Sequence, residues 1–241
     1  MNIGAAISRA FAVQGARVAV HHVGGETPGG TLEHQRSSGD QVEAFVESLP
    51  GAISVEGDFL EHGVASRVFD EVYERMGSVD VLVNNAGYTD ADDTYATIDD
   101  ASLERSYRVN VIAPAMMMAE LSRRLPEEAA PGSIAVINIS TDAARAFPGQ
   151  VGYGTSKAAL ESLTRGAALD LGPQIRVNAI APGPVQTGWM TEELIESVLP
   201  DIPLGRVGTP DDIAEAAVFL ASYQARWISG QIIQVAGGHS L

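Results

Sequence analysis

Cysteine is absent from the 241 residues of the chain, which excludes a disulfide framework, a thiolate metal site and a cysteine nucleophile. Bases are scarce: 15 lysines and arginines stand against 31 aspartates and glutamates, a formal charge of −16. That balance argues against polyanionic partners, so neither nucleic acid nor an anionic membrane surface is expected. Lysine is almost missing, because Lys157 is the one lysine beside 14 arginines. A sequence that uses arginine everywhere else and keeps one lysine marks a position that needs an ammonium group. Long apolar runs are missing too. No window approaches the roughly 18 uninterrupted apolar residues of a transmembrane helix. Met1 to Val20 carries Arg9 and Arg17 inside it and has no basic leading segment, so it reads as a helix and a strand, not a signal peptide. A cytoplasmic protein is expected.

What is present is a regular alternation. Ile3, Ile7, Ala10 and Phe11 form a helical stripe that Gly15 stops, and Arg17 to Val20 reads as a strand. Helical patterns follow over Gln41–Leu49, Val64–Met76, Leu103–Leu125, Tyr153–Leu171 and Asp211–Ala221, with a helical loop over Thr187–Leu199. Strands are expected at Ile53–Val55, Val79–Val83, Ile134–Ile139, Arg176–Ile180 and Ile232–Val235. Two of these, Val79–Val83 and Ile134–Ile139, are near-continuous apolar runs of the kind buried on both faces. Strands alternating with helices predict an α/β fold, a doubly wound parallel sheet with helices on both faces. No repeat or linker divides the chain, so residues 1–241 are expected to be one domain. His22 to Asp40 and Tyr88 to Asp100 look like solvated loops, although the second follows a strand and would border the ligand crevice.

The strongest chemical signal is Tyr153-Gly154-Thr155-Ser156-Lys157. Positions i and i+4 share a helix face, so the ammonium of Lys157 can approach the phenol of Tyr153. A nearby cation favours phenolate and lowers the phenol pKa, which makes Tyr153 a general acid/base near neutral pH. Ser140 ends the buried strand, where ligands bind in open parallel sheets. Its hydroxyl could hold a substrate oxygen while Tyr153 exchanges a proton with it.

With those residues in place, the chain resembles the single-domain short-chain dehydrogenase/reductase family. The resemblance runs through Asn84-Asn85-Ala86-Gly87, Asn110, Ser140, Tyr153, Lys157 and Pro182-Gly183-Pro184-Val185-Gln186-Thr187. It continues through Pro203-Leu204-Gly205-Arg206 and Ser229-Gly230-Gln231 to Gly237-Gly238. It implies a Rossmann-like fold and hydride transfer between NAD or NADP and a carbonyl or secondary alcohol. Tyr153 would be the acid/base, Lys157 would lower its pKa and hold the nicotinamide ribose, and Ser140 would orient the substrate oxygen. Asn110 would support a water that relays protons to Lys157. Cofactor contacts would come from Ile3, Gly4, His22, Asp58, Phe59, Asn85, Gly87, Tyr153, Lys157, Val185 and Thr187. A homo-oligomer, formed through the long helix and the Tyr153 helix, is also implied.

The front of the chain departs from the family pattern. The resemblance implies an apolar first strand and a Gly-x-x-x-Gly-x-Gly turn ahead of the first helix. Ile3-Gly4 match the last two positions of that turn, and Asn2 stands where its middle glycine is expected. The strand and the first glycine would precede Met1, and without that central strand two neighbours would lack a partner. Three explanations are open: a start placed too far downstream, a shortened member with altered cofactor binding, or a cofactor-free or non-catalytic relative. A cofactor-free enzyme would be a dehydratase, isomerase or cyclase using the same proton chemistry, and a non-catalytic chain would serve as a subunit of a hetero-oligomer. His21-His22 at the strand end fits neither the acidic nor the basic rule for cofactor choice. The pair points to opposite strand faces, so no metal site is expected. Trp189, Met190 and Leu194 give the segment after Thr187 an apolar inner face, which favours a small hydrophobic or aromatic substrate.

Overall fold

The computed structural model describes residues 2–24, 39–90, 92–145 and 148–240. Most of the loop expected over His22 to Asp40 lies outside the described residues. In chain order the elements are α1 (Ile3–Val13), β1 (Ala19–His22), α2 (Gly39–Glu47), β2 (Ile53–Glu56), α3 (Val64–Met76) and β3 (Val81–Asn84). Then come α4 (Asp100–Tyr107), α5 (Ala113–Arg123), β4 (Ile134–Ile139), α6 (Val151–Asp170), β5 (Ile175–Pro182), α7 (Glu192–Val198), α8 (Pro210–Ala221) and β6 (Ile232–Val235). The helix expected over Leu103 to Leu125 is a helical run interrupted by a π-turn at Arg108–Ile112. An inserted residue of this kind leaves no mark on apolar periodicity, and such turns gather at functional sites.

The strands form two parallel sheets. One has the order β1-β2 and the other β3-β4-β5-β6. β1 and β3 are therefore edges, the two strands expected to lack a neighbour. Arg17 at the entry to β1 donates to the Met76 carbonyl at the end of α3, and α3 packs on β2.

Alternation along β4 builds two cores. Ile134 and Val136 join Val68, Phe69, Met118, Leu121 and Val177 on one face. Ile137 and Ile139 join Ile7, Ile180, Ile213 and Leu220 on the other, under α1 and α8. Every residue of β4 and β5 is buried, as strands covered on both faces require.

One buried cation closes the far end of the sheet. Arg176, 5% exposed, donates from Nη1 to the carbonyls of Leu220 (2.8 Å) and Ala225 (3.1 Å) and from Nη2 to Ala221 (3.2 Å). It thereby serves the orphan carbonyls at the end of α8, where positive charge is favoured. Replacing it with leucine strands those carbonyls. Arg176→Leu is expected to cost at least about 3 kcal/mol, read as a lower urea midpoint at unchanged slope.

Candidate active site

The carboxyl ends of β3, β4 and β5 lie at one edge of the sheet, because the strands are parallel. A buried polar ladder fixes them to α6. Asn84 Nδ2 donates to Asn138 Oδ1 (2.8 Å), and Asn138 Nδ2 donates to the Thr164 hydroxyl (2.9 Å). Asn138 and Thr164 are fully buried, so each unmade bond would carry its whole desolvation cost.

The first turn of α6 is held from a distance. Asp93, 6% exposed, accepts from the backbone N–H of Gly152 (2.7 Å) and of Tyr153 (2.8 Å). It satisfies two orphan donors at that helix end and places a negative charge where the helix field favours one. The motifs gave no hint of Asp93. It sits in the segment expected to be a solvated loop, and the contact spans 60 residues. Gly154 lets α6 come close to the loop after β4, since a β carbon there would stand 3.1 Å from the Ala143 carbonyl oxygen.

Lys157 is 3% exposed and donates to the Ile139 carbonyl (2.7 Å). Burial pulls its pKa down to about 8. Its Nζ lies 5.8 Å from the centre of the Tyr153 ring. The Tyr153 phenol is pushed up to about 12 by burial, helped by the charge of Asp142 and opposed by a hydrogen bond with the Thr141 hydroxyl. The expected lowering of the Tyr153 pKa by Lys157 is thus corrected: in this buried setting desolvation outweighs a cation held at that distance.

Ser140 also needs correction. Its hydroxyl donates to Glu161 Oε1 of α6 (2.9 Å), and its N–H continues the ladder to Ile180 (2.7 Å). Val136, Asn138 and Ser140 share one strand face, as residues two apart must. Counting residues back from Tyr153 favoured Ser140; the contact with the phenol is made by Thr141, in the loop after β4.

Asn110 is fully buried within the π-turn. It accepts from Tyr88 N–H (2.8 Å) and donates to the Tyr88 carbonyl (2.8 Å) and the Ser156 hydroxyl (2.9 Å). Its amide tethers the Gly87–Tyr88 turn to α6. A β carbon on Gly87 would lie 3.6 Å from Lys157 Nζ and 3.7 Å from Asn110 Oδ1, so both polar atoms face that glycine.

At the other end, Asn2 caps α1 by accepting from Ala5 N–H (2.8 Å). Gly4 lies so close to Asn85 that a β carbon there would stand 2.7 Å from Asn85 Nδ2. Asp58 accepts from Leu60 N–H (2.8 Å). Phe59 stacks on His21 with ring centres 4.4 Å apart. Burial takes His21 down to about 4, so its ring is neutral at pH 7 and Nε2 donates to the Gly57 carbonyl (2.7 Å). Val185 is buried, and its neighbours Pro184 and Gln186 pair with Gly208.

A single cleft of about 1850 Å³ joins these groups. Its walls include Ile3, Gly4, His22, Asp58, Phe59, Asn85 and Gly87 at one end, and Ser140, Tyr153, Lys157, Val185 and Thr187 at the other. Asn110 lies beneath it. Trp189, Met190 and Leu194 line it as expected, with Met190 buried and Trp189 half exposed.

Comparison with known proteins agrees with this arrangement. The family described as enoyl-(acyl carrier protein) reductase matches residues 1–240. The uncharacterized oxidoreductase YjdA of Bacillus subtilis is 32% identical, covering 98% of this chain and 91% of that protein. NADPH-dependent aldehyde reductase 1 of Arabidopsis thaliana is also 32% identical, covering 98% of this chain and 82% of that protein. Among solved structures, a metagenomic blue fluorescent protein in complex with NADPH superposes with a TM-score of 0.86 at 29% identity, covering 100% of this chain and 94% of that one. A short-chain dehydrogenase/reductase from Brucella melitensis, a glucose/ribitol dehydrogenase, gives 0.83 at 26% identity, covering 98% and 91%. Sequence match, strand order and the convergence of Tyr153 and Lys157 on one cleft agree: the chain belongs to the short-chain dehydrogenase/reductase family of oxidoreductases.

Proposed function

We propose that this protein is an NAD(P)-dependent oxidoreductase that interconverts a carbonyl compound and its secondary alcohol. The observation that carries the reading is one continuous cleft with the N-terminus of α1 at one end and Tyr153, Thr141 and Lys157 at the other. The walls suit a dinucleotide. A helix N-terminus free of a β carbon at Gly4 receives phosphate oxygens. Asp58, Phe59 and His22 would hold the adenosine end, with Asn85 by its ribose. Lys157 would hold the nicotinamide ribose, and Val185 and Thr187 the nicotinamide. Bound there, the nicotinamide supplies or accepts the hydride.

The chain's own residues handle the proton. Tyr153 remains protonated across the working range, so in the reducing direction it donates its phenolic proton to the substrate oxygen. Thr141, beside the phenol, turns its one hydroxyl proton from Asp142 to that oxygen and orients it. Lys157, cationic below about pH 8, stabilises the phenolate left behind. Asn110, facing Gly87 with Lys157, supports the water through which Tyr153 is reprotonated. Ser140 holds α6 through Glu161. Trp189 and Met190 cover the substrate with apolar surface, which suits a hydrophobic carbonyl compound. Ile112, Met116 and Leu169 are exposed along the helices around the site, and the same reading makes this face the contact of a homo-oligomer.

Fluorescence titration with NADH and NADPH tests the cofactor, with micromolar binding expected. Tyr153→Phe is expected to keep that binding and lose about 10²–10⁴-fold in turnover. Absence of binding at millimolar cofactor, with Tyr153→Phe still abolishing activity, would favour proton chemistry without a nicotinamide.

The two hydroxyls separate cleanly. Thr141→Val is expected to lower kcat by about 100-fold, and Ser140→Ala far less, in steady-state assays.

The pH profile follows Lys157. As pH rises through about 8, the ammonium is lost and with it the support for the phenolate. Carbonyl reduction is expected to be level below that pH and to fall about tenfold per unit above it.

A further inference from the structure

The last described residues return to the loop after β4. After β6 the chain reverses at Gly237 (φ 64°) and Gly238 (φ 89°), left-handed conformations that glycine adopts without strain. The turn is pinned beneath the segment after α7. Leu204 N–H donates to the Gly237 carbonyl (3.0 Å), and a β carbon on Gly238 would lie 2.8 Å from Pro203. The path delivers His239, 9% exposed, to a cleft wall. There His239 Nδ1 lies 2.5 Å from Asp142 Oδ2, across 97 residues of sequence. The Arg145 guanidinium donates to the Ser240 carbonyl and ties the turn a second time.

Asp142 is itself buried at 7% exposure. Its other oxygen, Oδ1, accepts from the Thr141 hydroxyl (3.3 Å), and that hydroxyl is the one beside Tyr153. The side chains form a line: His239, Asp142, Thr141, Tyr153. A buried carboxylate without partners is costly, and a charge-assisted hydrogen bond fixes its orientation. Removing the imidazole frees Asp142 to rotate, and Thr141 then loses the acceptor that sets its hydroxyl.

We propose that His239 is a positioning residue of the active site, fixing through Asp142 the Thr141 hydroxyl that faces Tyr153 and making the C-terminal turn a wall of the substrate pocket. The Asp142 side chain lies close enough for its charge to raise the Tyr153 pKa. The proposal rests on the active-site reading above only for the roles of Tyr153 and Thr141.

Carbon-13 NMR of protein labelled at the tyrosine ring Cζ tests it without a known substrate. Tyr153→Phe assigns the Tyr153 signal among the six tyrosines. In His239→Ala and in Asp142→Asn that signal is expected to move while the other tyrosine signals stay. In His239→Asn, whose amide nitrogen can take the place of Nδ1, it is expected to return to the wild-type position. With a carbonyl substrate, His239→Ala should lower kcat about tenfold or more at unchanged Kd for NADPH. An unmoved Tyr153 signal in folded His239→Ala overturns the proposal. A movement of all tyrosine signals together also overturns it, as a general structural effect. Should His239→Ala unfold, His239→Phe keeps the ring volume without its nitrogens and is judged by the same signals. Failure of the wild-type protein to bind NADH or NADPH would remove the hydride-transfer reading and leave this result standing.

Discussion

The bond from the Lys157 ammonium to the Ile139 carbonyl is the contact around which the rest is arranged. It places a charge inside the protein at the junction of a helix and a strand end, and burial takes its pKa from 10.5 to about 8. That shift corresponds to about 3 kcal/mol against the charged form. Such a group is tolerated only where the geometry around it is rigid and its donors are used. α6 is accordingly tied at several points along its length. Asp93 holds its first turn, Asn110 reaches Ser156, Ser140 reaches Glu161, and Asn138 reaches Thr164. These ties come from three different parts of the chain, so α6 cannot slide without breaking buried hydrogen bonds.

The same burial biases the protonation of Lys157 and Tyr153. A tyrosine beside a lysine suggests a phenol poised to ionise, and that would hold if the cation were close and the site wet. Here the ammonium is 5.8 Å from the ring centre and the phenol is desolvated. Desolvation acts in opposite senses on the two groups, raising the acid and lowering the base. Both are therefore biased toward their neutral forms.

Local patterns carried the elements well. Ile3–Val13, Val64–Met76, Ile134–Ile139 and Ile232–Val235 follow from apolar spacing and from glycine or strand-end punctuation. Tyr153 and Lys157 were legible because helical spacing alone brings i and i+4 to one face. Thr141 was not legible: residue counting along the motif points to Ser140, and Thr141 lies past the end of β4, where strand alternation no longer decides. The π-turn at Asn110 was not legible, because its extra residue leaves the apolar stripe almost intact. Asp93 and His239 were beyond reach for another reason. Each makes its contact across 60 residues or more, and a single aspartate in an acidic loop, or a histidine near a chain end, carries no periodicity.

The two ends of the cleft are built on different elements. β1 and β3 are edges among the described residues, and every residue from Val18 to His22 and from Ser78 to Asn84 borders the cleft. Apolar side chains from α1 and α3, Ile7 and Phe11 on one side and Val68 and Val72 on the other, wall the space between them. The end with Tyr153 and Lys157 stands beside the fully buried strands β4 and β5. On the proposed reading, the groups for the adenosine end lie along α1, β1 and β2, and the groups for proton transfer lie along β4 and α6. Changes in α1, β1 or β2 should register first in cofactor affinity. Changes along β4, α6 and the C-terminal turn should register in the chemical step.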